Sequence, residues 1–177
     1  NDDVSITLNG TYTIVQPNTN ITINSLIFGA EEGVQTLEKT TNNFTINDES
    51  SIEENGIMLM SAGYLTGDGT LTNNGTIISA AASWSGINGF SLINNGTIEH
   101  QSGIFYLAAG AILQNIGLYD IQGDNNVQQS GSGTTFINSG RFLKSQAADG
   151  FTSITVPFDS RPESVIESAA GEIRFQT

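Results

Sequence analysis

The side chains of this chain that could perform chemistry are mainly carboxylates. Glu99 and Asp120 each stand three residues after a glycine, Gly96 and Gly117. If the two glycines mark equivalent points of a repeat, the two carboxylates lie one strand apart on one face. Carboxylates that close repel each other and raise the pKa of one of them, as in acid/base pairs and calcium sites. With Lys144 as the basic residue they are our catalytic candidates, although a solvated acidic face is the simpler interpretation and the one we favour.

Two aspartates carry oxygen atoms suitable for binding calcium, which is the only cofactor that the sequence suggests. Asp68 lies between two glycines, and Asp124 precedes Asn125 and Asn126. Neither segment completes a calcium-loop motif, so ordinary turns are favoured. His100 is the only histidine, and no serine or aspartate stands at a spacing that specifies a triad. We expect His100 at the surface or at a corner between strands.

Aromatic side chains offer a route to binding, because sugar rings stack on them. Trp84, the only tryptophan, stands in the segment 80–86, which is expected to form a loop, and Tyr12, Tyr64 and Tyr106 are expected to point outward. Trp84 and Tyr106 are therefore the candidate ligand-binding residues. The alternative for Trp84 is a plug that folds back over the end of the core.

Composition excludes several classes of function. The 177 residues hold five Lys and Arg against 18 Asp and Glu, a net charge of −13. This charge repels nucleic acids and anionic lipid surfaces. The chain has no cysteine, which excludes disulfides and thiolate chemistry. No segment approaches the roughly 20 apolar residues of a membrane helix, so we expect no membrane insertion.

A repeat organises most of the sequence. A glycine followed two residues later by an apolar residue returns after 19, 21, 21 and 23 residues, at Gly56, Gly75, Gly96, Gly117 and Gly140. The last four follow similar phrases, such as Leu71-Thr72-Asn73-Asn74. Within a unit, apolar residues alternate over short runs, which indicates short strands. A unit of this length cannot cover its own apolar face, so the units must stack.

The sequence therefore predicts an all-β, single-stranded parallel β-helix with coils of about 19–23 residues, as measured from the repeat spacing. Strands of successive coils pair in parallel, and equivalent apolar residues form an inward column. We assign this column to Ile57, Ile77, Ile98, Tyr119 and Phe142. The Asn-Gly pairs are interpreted as corners that require a positive φ, and the asparagines as amide ladders. The alternative is a sandwich of hairpins with Asn-Gly turns.

The chain is predicted to form one domain over residues 1–177. Residues 56–177 carry the repeat coils, and residues 1–55 are expected to form the first coils and an N-terminal cap. The chain ends inside an alternating pattern, which favours a piece excised from a larger protein.

The units 67–77 and 136–142 resemble the degenerate repeats of large secreted bacterial surface proteins, namely adhesins, filamentous-haemagglutinin-type exoproteins and autotransporter passengers. The resemblance covers about residues 56–177. It implies a right-handed parallel β-helix, secretion or display on the bacterial cell surface, and a role as a stalk or adhesive surface. A Gly-Asp-Ser-Gly protease motif and a Gly-Gly-x-Gly-x-Asp calcium array are both absent from the sequence.

Three hypotheses for function follow. The first is a non-enzymatic structural or adhesive segment that presents loops to a glycan, a host protein or another cell. The second is a carbohydrate-active β-helix enzyme, a polysaccharide lyase or glycoside hydrolase, in which Glu99 and Asp120 line a groove opposite a basic residue. The third is a lectin-like module that uses Trp84. The ligand and the oligomeric state are left open by the sequence.

Overall fold

The alternating segments of the sequence form 22 short β-strands and no helix in the computed structural model, which describes residues 1–148 and 150–176. Residue 177, the predicted end of the domain, lies outside the described residues. Every strand pairing is parallel and joins one coil to the next. The predicted β-helix is therefore confirmed, and the hairpin sandwich is wrong because it requires antiparallel neighbours. No helix long and apolar enough to cross a membrane occurs in the part of the chain that the structure describes.

About eight coils stack on one another, and each contributes one strand to each of three faces. The first face contains β1 (Asp3–Ile6), β4 (Ser25–Phe28), β7 (Ser50–Ile52), β10 (Thr70–Asn73), β12 (Ser91–Asn94), β14 (Ile112–Asn115), β17 (Thr135–Asn138) and β20 (Phe158–Ser160). The second contains β2 (Tyr12–Val15), β5 (Gln35–Lys39), β8 (Gly56–Met60), the first parts of β11 (Thr76–Asn88) and β13 (Thr97–Ala108), β15 (Leu118–Gln122), β18 (Arg141–Gln146) and β21 (Val165–Ser168). The third contains β3 (Ile21–Ile23), β6 (Phe44–Ile46), β9 (Gly63–Thr66), the last parts of β11 and β13, β16 (Asn126–Ser130), β19 (Phe151–Ile154) and β22 (Glu172–Phe175).

We number the coils from 1 to 8 from the N-terminus. Residues 3–23 already form the three strands of coil 1, which pair with coil 2 on every face. The predicted N-terminal cap is therefore not confirmed. Residues 1–55 contain coils 1 and 2 and the first strand of coil 3.

The inward column predicted from the repeat is present with one change. Ile77, Ile98, Tyr119 and Phe142 follow one another in register and are fully buried. In coil 3, however, the buried residue of this column is Met58, and Ile57 stands one residue away and faces outward, half-buried. The inward position is two residues after the glycine, so counting from Gly56 gives Met58.

The repeated glycines are required for a reason other than the one predicted. Gly75, Gly96, Gly117 and Gly140 do not have a positive φ, and neither do the asparagines before them. Instead, the glycines of successive coils lie directly on one another, and a Cβ on Gly96 would fall less than 3.0 Å from the carbonyl oxygen of Gly75. The corner excludes a side chain because two backbones meet there, and the positive-φ interpretation is wrong.

The predicted amide ladder is confirmed by four fully buried asparagines, Asn73, Asn94, Asn115 and Asn138. The Nδ2 of each of the first three donates to the Oδ1 of the next coil at 2.7–2.8 Å, and the Nδ2 of Asn138, the last, donates to the carbonyl of Gly140 at 3.4 Å. The first three also donate to a backbone carbonyl at 2.9–3.0 Å. The ladder begins at Asn73 because coil 3 has Ile52 at this position, so the Oδ1 of Asn73 has no donor among the described residues. Between the two ends of the ladder, the buried amides satisfy one another.

Replacing one rung of this ladder provides a test of its contribution. Asn94→Ala should lower the free energy of unfolding by about 3 kcal/mol, because Asn73, Asn115 and the carbonyl of Leu118 each lose a buried partner. Urea denaturation followed by circular dichroism measures the change.

Asn95→Ala is the matched control. The adjacent Asn95 is exposed, and its Nδ2 donates to Asn74 at 3.0 Å in a similar contact between coils. We expect a change within about 0.5 kcal/mol for this surface position. Equal losses in the two variants would mean that burial of the ladder is not what makes it stabilising.

Candidate functional site on the third face

Three aromatic side chains from successive coils meet on the outside of the third face. Tyr64 belongs to coil 3, Trp84 to coil 4 and Tyr106 to coil 5, and each is half-buried. The ring centroids of Trp84 and Tyr64 lie 4.7 Å apart, and those of Trp84 and Tyr106 lie 6.1 Å apart. We call these three residues the aromatic ledge. The predicted outward orientation is confirmed for Tyr64 and Tyr106 and is wrong for Tyr12, which takes the inward register position of Gln35. Trp84 lies outside the core and is not a plug.

The strand alternation and one glycine explain how the ledge forms. Along each strand, a residue next to the ring faces the core and is buried: Leu65 next to Tyr64, Ser85 next to Trp84 and Phe105 next to Tyr106. Gly86 is the register partner of both Tyr64 and Tyr106, so coil 4 has no side chain between the two tyrosines. The indole of Trp84, two residues earlier on the same side of the strand, occupies that space.

A bulge at the corner before Trp84 sets its position. Ala80 pairs with Ser102 and Trp84 pairs with Ile104, so coil 4 has three residues where coil 5 has only Gly103. The predicted loop at 80–86 is therefore wrong: these residues belong to the continuous strand β11, which turns the corner through the bulge. The Ser102 hydroxyl donates to the carbonyl of Ala81 at 3.0 Å and secures this corner.

The strands that carry the ledge are uncharged. The third-face strands of coils 3–6 contain no Asp, Glu, Lys or Arg. Gln128 continues the column of Tyr106, and Asn88 stands beside Gly86 in coil 4. Within the described residues, neither side-chain amide has a protein hydrogen-bond partner, although most other amides of the molecule do. Burial, followed by the effect of neighbouring Tyr106, raises the pKa of Tyr64.

Sequence reasoning identified the rings of the ledge and missed its amides. Spacing measured from the glycines of the second face does not predict the register of the third face, because the bulge in coil 4 shifts the third face relative to those glycines. A separate count on the third face, from the buried Phe105 to Val127 one coil later, would have placed Gln128 next to Tyr106.

The predicted carboxylate pair is present in register. Glu99 and Asp120 are partners on adjacent strands of the second face, with Ile78 and Leu143 at the flanking positions. Asp120 is only 9% exposed, although it points outward. Its Oδ2 accepts a hydrogen bond from Gln122 at 3.1 Å, and its buried Oδ1 has no donor among the described residues. Asp120 is thus a desolvated carboxylate beside a second one, and the predicted solvated acidic face is wrong for it.

Lys144 does not face this pair. Its side chain is fully buried in the core, where the ammonium donates to the carbonyl of Gly123, to Asp124 at 2.9 Å and to Thr152 at 3.1 Å. Tyr106 belongs to the third face, and Arg141 pairs with Glu167 at 2.7 Å. The groove with a basic residue opposite the carboxylates, which the enzyme hypothesis requires, is not assembled by these residues.

His100 lies in the core at the corner between the second and third faces, so the expected corner position is present and the surface alternative is wrong. Its Nε2 lies 3.0 Å from the carbonyl of Gly103, which assigns the proton to Nε2 and leaves Nδ1 to accept from the hydroxyl of Tyr119 at 3.3 Å. Burial lowers the pKa of His100 to about 4, and the hydrogen bond to Gly103 opposes this shift. The histidine is neutral and structural.

The two calcium candidates lie in different surroundings. Asp68 is exposed in a turn. Both oxygens of Asp124 accept hydrogen bonds, Oδ1 from Lys144 and Oδ2 from the amides of Ala148 and Gly150 at 3.1 and 2.8 Å. Lys144 is the main reason that the pKa of Asp124 is lowered. Across residues 1–148 and 150–176, no three His, Asp or Glu side chains lie close enough together to hold a metal ion, and calcium binding stays a prediction.

Comparison with known proteins provides no assignment. No protein-family model matches the chain, and no curated protein and no solved structure is significantly similar to it.

The effect on stability of burying the Asp120 carboxylate beside Glu99 can be tested by removing its charge. Asp120→Asn should raise the free energy of unfolding by about 1 kcal/mol, because an amide next to Glu99 removes the like-charge contact and can donate to it. Urea denaturation measures the change. Asp68→Asn, which removes an exposed carboxylate, should leave stability unchanged. A loss of stability in Asp120→Asn would show that an attractive contact holds the carboxylate.

The buried histidine should make the fold sensitive to mild acid. Because the pKa in the folded state lies near 4, below the ordinary 6.5, the unfolded chain binds the proton more readily. This stability is complete above pH 6.5 and is lost as the pH falls towards 4, by about 2 kcal/mol between pH 7 and pH 5. Chemical denaturation at both pH values should show this loss in the wild type and not in His100→Gln. The variant keeps every carboxylate of the wild type, so the difference between the two proteins isolates the histidine. Parallel losses would contradict the assignment.

Proposed function

We propose that this chain is a non-enzymatic structural and adhesive segment of a bacterial extracellular or cell-surface protein. It acts as a rigid spacer and presents the outside of its coils to a glycan, to a host surface protein or to another cell. The aromatic ledge is the part of that surface which makes the contact.

The stacking of the coils supports the role of a spacer. Each coil is joined to the next by parallel backbone hydrogen bonds on three faces. At about 4.8 Å per coil, eight coils extend over about 34 Å. A bend at any point would break pairings on at least one face together with the columns inside, so the rod has no hinge.

The single observation that carries the adhesive role is the position of the ledge. Large rings that serve stability in this molecule are inside: Tyr119, Phe136 and Phe142 are fully buried and pack on one another with centroids 5.2–5.5 Å apart. Tyr64, Trp84 and Tyr106 stand on the outside, where they close no core. Clustered aromatic residues on a protein surface are typical of interaction sites.

The alternative of a carbohydrate-active enzyme draws no support from the carboxylate pair. Asp120 is buried and Lys144 points to the other side of the same sheet, so the two candidate catalytic residues do not share a groove.

An adhesion assay tests the proposal. Beads coated with the chain are flowed over surfaces that carry glycans, extracellular matrix proteins or cell layers, and retained beads are counted. We expect retention on at least one surface and a loss of about tenfold with Trp84→Ala/Tyr106→Ala, because aromatic anchors dominate contact energies.

Phe151→Ala is the control, since Phe151 is an exposed aromatic residue of the same face that lies outside the ledge. Circular dichroism verifies that the variants fold. Equal retention of the double variant and the wild type, or retention of no bead on any surface, would contradict the proposal.

A further inference from the structure

We infer that the ligand of the aromatic ledge is an uncharged polysaccharide, bound through an internal segment that lies along the axis of the coils. This inference rests on the proposed function, namely that the ledge is the adhesive contact. It names the chemical class of the ligand.

The arrangement of the rings matches a chain of sugars. The ledge takes one ring from each of three consecutive coils, with centroids 4.7 and 6.1 Å apart. A sugar ring has a face of C–H groups that packs on an aromatic ring, and its length along a polysaccharide is close to the spacing of the coils. Successive sugars of a polymer parallel to the axis can therefore each contact a ring.

The polar groups around the rings are the kind that recognise hydroxyl groups. The hydroxyls of Tyr64 and Tyr106 and the amides of Asn88 and Gln128 can each donate and accept. Within residues 1–148 and 150–176, none of these groups bonds to another part of the protein. Groups that flank an apolar platform without internal partners are available for a ligand that supplies both donors and acceptors.

The distribution of cations excludes an acidic polysaccharide. Recognition of a carboxylate or sulfate requires Lys or Arg, and the chain has five. Lys39 and Lys144 are buried, and each is bonded inside the core. The three arginines each pair with a carboxylate: Arg141 with Glu167, Arg161 with Asp159 and Arg174 with Glu172. None of the five is in a ledge strand, and the net charge of −13 repels polyanions.

The open ends of the ledge favour an internal segment. Along the axis, the column of Tyr64 continues with Asn43 of coil 2 on one side and that of Tyr106 with Gln128 of coil 6 on the other. Both are polar residues with side chains smaller than an aromatic ring. A site for the end of a glycan would need a wall across this path.

Titrations with defined hexasaccharides test the inference. Cellohexaose, mannohexaose and chitohexaose are the neutral probes, and hexagalacturonate is the acidic one. Since Trp84 is the only tryptophan, its fluorescence reports on the ledge directly, and calorimetry gives the Kd. We expect saturable binding of at least one neutral probe with a Kd that does not depend on salt, and no binding of hexagalacturonate.

Variants locate the binding. Trp84→Ala should raise the Kd for the neutral probe by about tenfold or more. Gln128→Ala should raise it less, and Phe151→Ala should leave it unchanged. Preference for hexagalacturonate, binding of none of the neutral probes, or undiminished binding by Trp84→Ala would each overturn the inference.

The two proposals fail differently. If Trp84-dependent bead retention persists on protein-coated surfaces or on acidic glycans while the neutral probes do not bind, the adhesive function stands and the ligand class is wrong. If Trp84 affects neither assay, both are wrong.

Discussion

The parallel backbone pairing between coils is the constraint on which the rest of the structure depends. It holds each coil above the previous one at the distance that separates two neighbouring strands of a sheet, and it places equivalent residues over one another. A residue at a corner or in an inward column must therefore tolerate the equivalent residue of the next coil directly above it. Gly96 stands on Gly75 because no Cβ fits between the two backbones, and Asn94 stands between Asn73 and Asn115 because an amide can donate to one neighbour and accept from the other. The sequence repeats because each coil must satisfy this constraint.

The corner between the second and third faces shows how the same constraint accommodates buried polar groups. One inward column contains Lys39, Met60, Ser79, His100, Ile121 and Lys144. Its long polar members direct their donors at carbonyl groups of this corner: Lys39 to Asn42 of its own coil and to Ala62 of the next, and His100 to Gly103. Burial lowers the pKa of Lys39 to about 8. These side chains replace the backbone partners that the turning chain loses, which explains ionisable groups in the core without a catalytic role.

The outside of the coils is free of this demand, and there the sequence varies from coil to coil. The position that is Tyr64 in one coil is Gly86 in the next and Tyr106 in the one after, and only the bulge before Trp84 brings a third ring into the gap. On the second face, Glu99 and Asp120 follow Ile78 and precede Leu143. The side chains of these outer columns are not constrained by the packing of the core. In the aromatic ledge they bring three aromatic rings together.

By itself, the sequence determined the coil, because a phrase that returns every 19–23 residues and carries alternating apolar residues can bury its apolar face only by stacking. It also determined the register of Glu99 with Asp120 and the amide ladder, since both lie within a few residues of a repeated glycine. The tertiary structure alone decided which side of the strand a residue takes beyond a bulge or corner. It placed Lys144 and His100 inside, buried Asp120 and assembled the ledge. Each of these outcomes depends on which neighbouring coil covers the residue, and spacing along one chain does not contain that information.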